Sequence, residues 1–119
     1  MTRSVLVVDD DPVFRTLAGR LLIASGLTVM GEADSASAAL SAATVGEPSA
    51  ILVDVGLPDL DGFSLARQLT ALPWGPRVVL TSVDADVATA DDVRLSGALA
   101  FVHKADLPNV PLAQLLGDA

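Results

Sequence analysis

A chain of 119 residues, 51% of them hydrophobic, is the size of one domain with a single core. Seven Lys and Arg against 15 Asp and Glu give a formal net charge of −8 and leave no basic stripe, which argues against direct nucleic-acid binding. No uncharged apolar run reaches the ~18 residues of a membrane span, the first apolar run is too short for a signal-peptide core, and zero cysteines with one histidine argue against disulfides or structural zinc. The chain reads as cytoplasmic.

Val5–Val8 is the first expected strand, and it runs straight into Asp9, Asp10 and Asp11. Asp11 then caps a helix with Pro12 at its first position. Val13, Leu17, Leu21 and Ala24 recur at helical spacing as its apolar face, and Gly26 ends it. Leu27–Met30 is the second strand. Asp34 or Ser35 caps a second helix to about Val45, with Ala36, Ala39, Leu40 and Ala43 as a face small enough to pack close to a sheet. Ala50–Val53 is the third strand and runs into Asp54. The loop Gly56–Gly62 is rich in turn residues, with Asp59 and Asp61 shaping it.

Phe63–Leu72 is the third helix, with Leu65, Leu69 and Leu72 on one side. Pro73–Pro76 is a connector carrying Trp74, expected at the end of the sheet far from the acids. Arg77–Leu80 is the fourth strand and runs into Thr81 and Ser82. Val83–Ser96 is acidic and weakly patterned, so only a short, weakly anchored helix is expected there. Leu99–Val102 is the fifth strand and leads to His103 and Lys104. A last short helix begins near Pro111 with Leu112, Leu115 and Leu116.

Short apolar runs alternating with helical segments predict an α/β fold: a doubly wound, five-stranded parallel sheet with helices on both faces. The common strand order 2-1-3-4-5 sets strands 1 and 3 side by side, and ligands bind outside the carboxyl ends of such strands. Asp9, Asp10 and Asp11 would then lie beside Asp54, with Thr81 and Lys104 on the same edge. Clustered carboxylates oppose one another's ionisation, and a hard divalent cation such as Mg²⁺ relieves that repulsion. A carboxylate can also accept a phosphoryl group. An ammonium, a hydroxyl and a metal can each stabilise one of its oxygens.

The segments Val8-Asp9-Asp10-Asp11-Pro12, Val53-Asp54-Val55-Gly56-Leu57-Pro58-Asp59-Leu60-Asp61-Gly62, Leu80-Thr81-Ser82 and Phe101-Val102-His103-Lys104 resemble the receiver domain of two-component response regulators. The resemblance covers nearly the whole chain and implies one flavodoxin-like receiver domain over residues 1–119, with no second domain after it. It implies that Asp54 accepts a phosphoryl group from a histidine kinase or histidine phosphotransfer protein. Asp10, Asp54 and the Gly56 backbone carbonyl would hold Mg²⁺ or Mn²⁺, with Asp9 acting mainly through a coordinated water. Thr81 and Lys104 would contact the phosphoryl group, and Thr81 and Phe101 would switch. The output would be an unidentified partner or self-association. The chain departs from the family at Ala105, where proline usually follows the lysine.

His103 is expected to be a surface or half-buried side chain, not a phosphodonor. Two other readings stand beside the switch. One is a receiver-like interaction module that works without phosphorylation, motivated by the irregular stretch 83–96. The other is a phosphatase, because Asp9-Asp10-Asp11-Pro12-Val13 fits the D-x-D-x-[TV] pattern of haloacid-dehalogenase-type enzymes; the chain is short for their core and cap. The chain is expected not to be an enzyme.

Overall fold

The computed structural model describes residues 3–117. Five parallel strands, β1 (Ser4–Val8), β2 (Thr28–Ala33), β3 (Ala50–Asp54), β4 (Arg77–Ser82) and β5 (Ala100–His103), form one sheet in the order β2-β1-β3-β4-β5. Four α-helices accompany them: α1 (Pro12–Ala24), α2 (Ala36–Gly46), α3 (Gly62–Thr70) and α4 (Ala90–Ser96). A 3-10 helix, Lys104–Asn109, and a π-helical turn, Ala113–Gly117, follow β5.

Strand alternation divides the core between the two sheet faces. Val5, Val7, Leu52 and Val79 meet Phe14, Ala18 and Leu22 of α1 together with Leu107, Leu112 and Leu116. Leu6, Val8, Ile51, Val53, Val78 and Leu80 meet Ala36, Ala39 and Ala43 of α2 and Leu65, Ala66 and Leu69 of α3. The central strands are buried on both faces, which is why β1, β3 and β4 read as continuous apolar runs.

Two sequence expectations change. On α1 the buried face is Phe14, Ala18 and Leu22, while Val13 is 76% exposed and Leu17 46% exposed. The two stripes lie one residue apart on a helix that is apolar most of the way round. The small Ala18 lets α1 sit close to the sheet, and Arg15 ties the helix down from its edge by donating to Glu32 Oε1 at 2.7 Å and to the Asp9 carbonyl at 2.8 Å. β2 starts one residue later and runs on to Ala33, because a register shift opposite Val5 and Leu6 absorbs an extra residue and carries Gly31 and Glu32 into the ladder. The segment after Lys104 is helical at once, and among the described residues no peptide bond is cis.

The stretch after Ser82 follows expectation. Residues 83–89 are a loop, and α4 is a seven-residue helix opened by a capping box between Thr89 and Asp92. Of its residues only Ser96 is buried. Trp74 lies at the end of the sheet away from the acids, its indole N–H donating to the Pro48 carbonyl at 2.9 Å just before β3.

Gly62 joins the fold to the acid-bearing edge. A Cβ on it would lie 2.5 Å from the Asp54 carbonyl oxygen and 2.6 Å from Val55 Cα, both backbone atoms that cannot rotate away. Gly62→Ala is therefore expected to cost about 2 kcal/mol through overpacking. Urea unfolding should show a lower midpoint with an unchanged slope.

Candidate functional site

Parallel register brings the strand ends together. Val8 pairs with Val53, Asp54 with Thr81, and Ser82 with His103. Asp9, Asp54, Thr81 and Lys104 therefore share the carboxyl edge of the sheet, although Asp9 and Lys104 come from opposite ends of the chain. Asp9 is fully buried, and Asp54 and Thr81 are nearly so. Asp10 and Asp11 are exposed.

Asp9 Oδ1 accepts the Asp11 backbone N–H at 2.9 Å. Its Oδ2 lies 2.6 Å from Lys104 Nζ, close enough for an ion pair but without hydrogen-bond geometry, so that buried oxygen has no hydrogen-bond donor. Lys104 Nζ is also 3.7 Å from Asp54 Oδ1 and 4.3 Å from the centre of the Phe14 ring. One ammonium thus bridges two buried carboxylates and rests on an aromatic face.

Burial pushes the Asp54 carboxyl above its ordinary range, and the Asp9 charge pushes it further. Lys104 and the Gly56 backbone N–H oppose the shift without cancelling it. Asp9, Asp10 and Asp54 each offer a carboxylate oxygen, and these atoms lie within 4.8 Å of one another. A set of hard oxygen donors, in which the buried Asp9 Oδ2 is met by an ion pair and by no hydrogen bond, fits a hard divalent cation. Thr81 Oγ1 makes only a long 3.5 Å contact to the Val53 carbonyl, so its hydroxyl is loosely held. Phe101 pairs with Leu80 and packs half-buried against the core face that α2 and α3 cover.

The loop between β3 and α3 is tied at three points. Val55 N–H donates to the Thr81 carbonyl at 2.9 Å. Asp61 caps α3, accepting Ser64 N–H at 2.9 Å. Asp59 does more than shape a turn: its two oxygens accept the Ala36 and Ser37 N–H groups at 2.8 and 3.0 Å, so it caps α2 from 22 or more residues away. These bonds lower the carboxyl pKa of Asp59 and Asp61 from the ordinary 3.8.

A depressed acid contributes stability that is present above its unfolded pKa and lost as pH falls through its folded one. Asp59→Ala should therefore unfold more easily than the parent chain at neutral pH. That deficit should shrink as pH falls below 3.8, where the parent loses the same bonds. Paired urea titrations across that range check it.

Sequence reading missed Phe14 under Lys104, Arg15 on the Asp9 carbonyl, and the reach of Asp59. The first two had a signal: they directly follow the capped start of a helix that opens at the acid cluster.

The family profile of the response regulator receiver domain matches residues 5–111. The DNA-binding transcriptional activator DevR/DosR of Mycobacterium tuberculosis is 34% identical over 119 residues, covering 99% of this chain and 54% of that protein. A protein-glutamate methylesterase/protein-glutamine glutaminase of Hahella chejuensis is 33% identical over 109 residues, covering 90% of this chain and 31% of the enzyme. The chain spans about half or less of the first curated relatives it matches, from 31% to 50% of their lengths. Among solved structures, a two-component response regulator of the LuxR family from an Aurantimonas species superposes with a TM-score of 0.84 at 26% identity, over 96% of this chain and 81% of that one. The matched span and the sheet order agree with these comparisons: this protein belongs to the response regulator receiver domain family, which signals through phosphorylation.

Proposed function

We propose that this chain is a phosphorylation-dependent switch in which Asp54 is the phosphoacceptor. The observation that carries the reading is the Lys104 ammonium between the buried carboxylates of Asp9 and Asp54, with the Thr81 hydroxyl in register beside Asp54. A carboxylate oxygen of Asp54 attacks the phosphorus of a phosphohistidine on a kinase or phosphotransfer protein. The new O–P bond forms as the P–N bond breaks, and the histidine nitrogen keeps the electron pair.

Asp10, Asp54 and the Gly56 carbonyl would hold Mg²⁺ or Mn²⁺, with Asp9 reached through water; the ion supplies charge to the phosphoryl oxygens. Lys104 and the Thr81 hydroxyl supply the protein's own charge and hydrogen bond. The loosely held hydroxyl of Thr81 is free to turn toward a phosphoryl oxygen, and the half-buried Phe101 ring on the neighbouring strand would switch with it. The exposed side of α1, where Pro12, Val13, Thr16, Leu17 and Arg20 line a hollow beside the acids, suits docking of the donor protein. Exposed Val83, Leu95 and Leu99 give an output partner or a second copy apolar surface to bury.

Incubation with a small acyl phosphate and Mg²⁺ should add one phosphoryl group, which hydroxylamine releases as expected of an acyl phosphate. A folded chain that gains nothing from the small donor or from a phosphorylated histidine kinase would leave the interaction module as the better reading. Partner binding equal with and without phosphodonor would favour that module too.

A further inference from the structure

His103 makes one contact that the receiver chemistry does not use. Its Nε2 lies 2.8 Å from the backbone carbonyl oxygen of Val83. A carbonyl can only accept, so Nε2 carries the hydrogen and donates. Val83 is the first residue past β4, two positions after Thr81, and Ser82 pairs with His103 in the ladder. The bond therefore runs from the last residue of β5 to the first residue of the β4–α4 loop.

Beyond the strand ladder, the other hydrogen bonds of that loop are local. Asp84 N–H donates to Ser82 Oγ at 3.0 Å, Asp86 N–H to Asp84 Oδ1 at 2.9 Å, and Val87 N–H reaches the Asp84 carbonyl at 3.4 Å. The loop buries almost nothing; Val83 is 75% exposed and Val87 39%. Few buried apolar contacts and only local bonds mark a segment that opens readily. Among the described side chains, His103 is the one that ties this loop to an element not adjacent to it in sequence.

We infer that His103 is a positioning residue: its Nε2–H holds the Val83 carbonyl and so sets the loop that forms the rim of the acid site beside Thr81. The inference rests on the phosphoryl-switch reading for its consequence, because a loop held over that edge limits the access of water to phosphorylated Asp54. The tie itself does not depend on phosphorylation.

Three variants separate hydrogen bonding from ring packing. His103→Gln places an amide N–H donor about where Nε2 lies. His103→Phe keeps a ring and removes the donor. His103→Ala removes both. A net hydrogen bond corresponds to about a fivefold change in an opening equilibrium. Amide hydrogen exchange over Val83–Thr89 in the unphosphorylated chain should therefore quicken about fivefold in His103→Phe and His103→Ala and return to the parent rate in His103→Gln. The lifetime of the phosphorylated form should shorten in the same order, with the Gln variant restored.

Imidazole nitrogen NMR of the parent should show hydrogen on Nε2. A parent with the hydrogen on Nδ1 alone would overturn the inference. So would a Phe variant with parent exchange, or a Gln variant as fast as Phe. If the parent takes no phosphoryl group, the proposed function fails while the exchange and NMR readings still decide the tie.

Discussion

Asp54→Asn is expected to take up no phosphoryl group from any donor while folding more stably than the parent. The first half follows from chemistry: an amide has no nucleophilic carboxylate oxygen, and Asp10 and Asp11 are exposed rather than enclosed with Thr81 and Lys104. The second half follows from electrostatics. Burial and the charge of Asp9 both oppose ionisation of Asp54, and Lys104 only partly offsets them. At neutral pH that buried charge weighs against the folded state, and asparagine removes it while keeping an oxygen that can accept the Gly56 N–H. The two readouts are intact mass after incubation with phosphodonor and the melting temperature at pH 7. Undiminished labelling would remove Asp54 from its role; a lower melting temperature would contradict the electrostatic account.

Lys104→Ala should have the opposite effect on stability. Its side chain is 12% exposed, its partner on Asp9 is fully buried, and no other cation is paired with Asp9 or Asp54 among the described residues. Removing one partner of a buried ion pair leaves the other charge uncompensated and costs about 3 kcal/mol. The Phe14 ring also loses the cation seated on it. Because Asp9, Asp10 and Asp54 form a hard-oxygen set, millimolar Mg²⁺ should return part of the lost stability by replacing one cation with another. Urea unfolding with and without Mg²⁺ reads both effects. A variant as stable as the parent without Mg²⁺ would mean that the carboxylates are relieved in some other way.

Much of this was legible in the chain because it depends on runs and their ends. Val5–Val8, Ala50–Val53 and Val78–Leu80 are apolar throughout, since strands buried on both faces leave no polar position. Once they are strands, topology alone brings Asp9, Asp54, Thr81 and Lys104 to one edge. The rotation of α1 was not legible. Val13/Leu17/Leu21 and Phe14/Ala18/Leu22 are both four-residue repeats, and the buried one contains an alanine, so hydrophobicity points to the wrong face. Close approach to the sheet selects the small residue, and that preference appears only when the sheet is present. The far end of β2 was hidden because Gly31 and Glu32 look like a turn, while the ladder accepts them through a shift in register. Asp59 capping α2 and His103 holding the Val83 carbonyl are side-chain-to-backbone bonds between elements distant in sequence. No local pattern encodes such bonds.

The most direct test of the central claim is to locate the modified residue. The chain is phosphorylated with a small acyl phosphate and Mg²⁺, reduced with borohydride, which converts an aspartyl phosphate to homoserine, and sequenced by tandem mass spectrometry. Homoserine at position 54 alone is the predicted result. Homoserine at another acid of the cluster, or none in a folded chain that a phosphorylated histidine kinase also fails to label, would contradict the account.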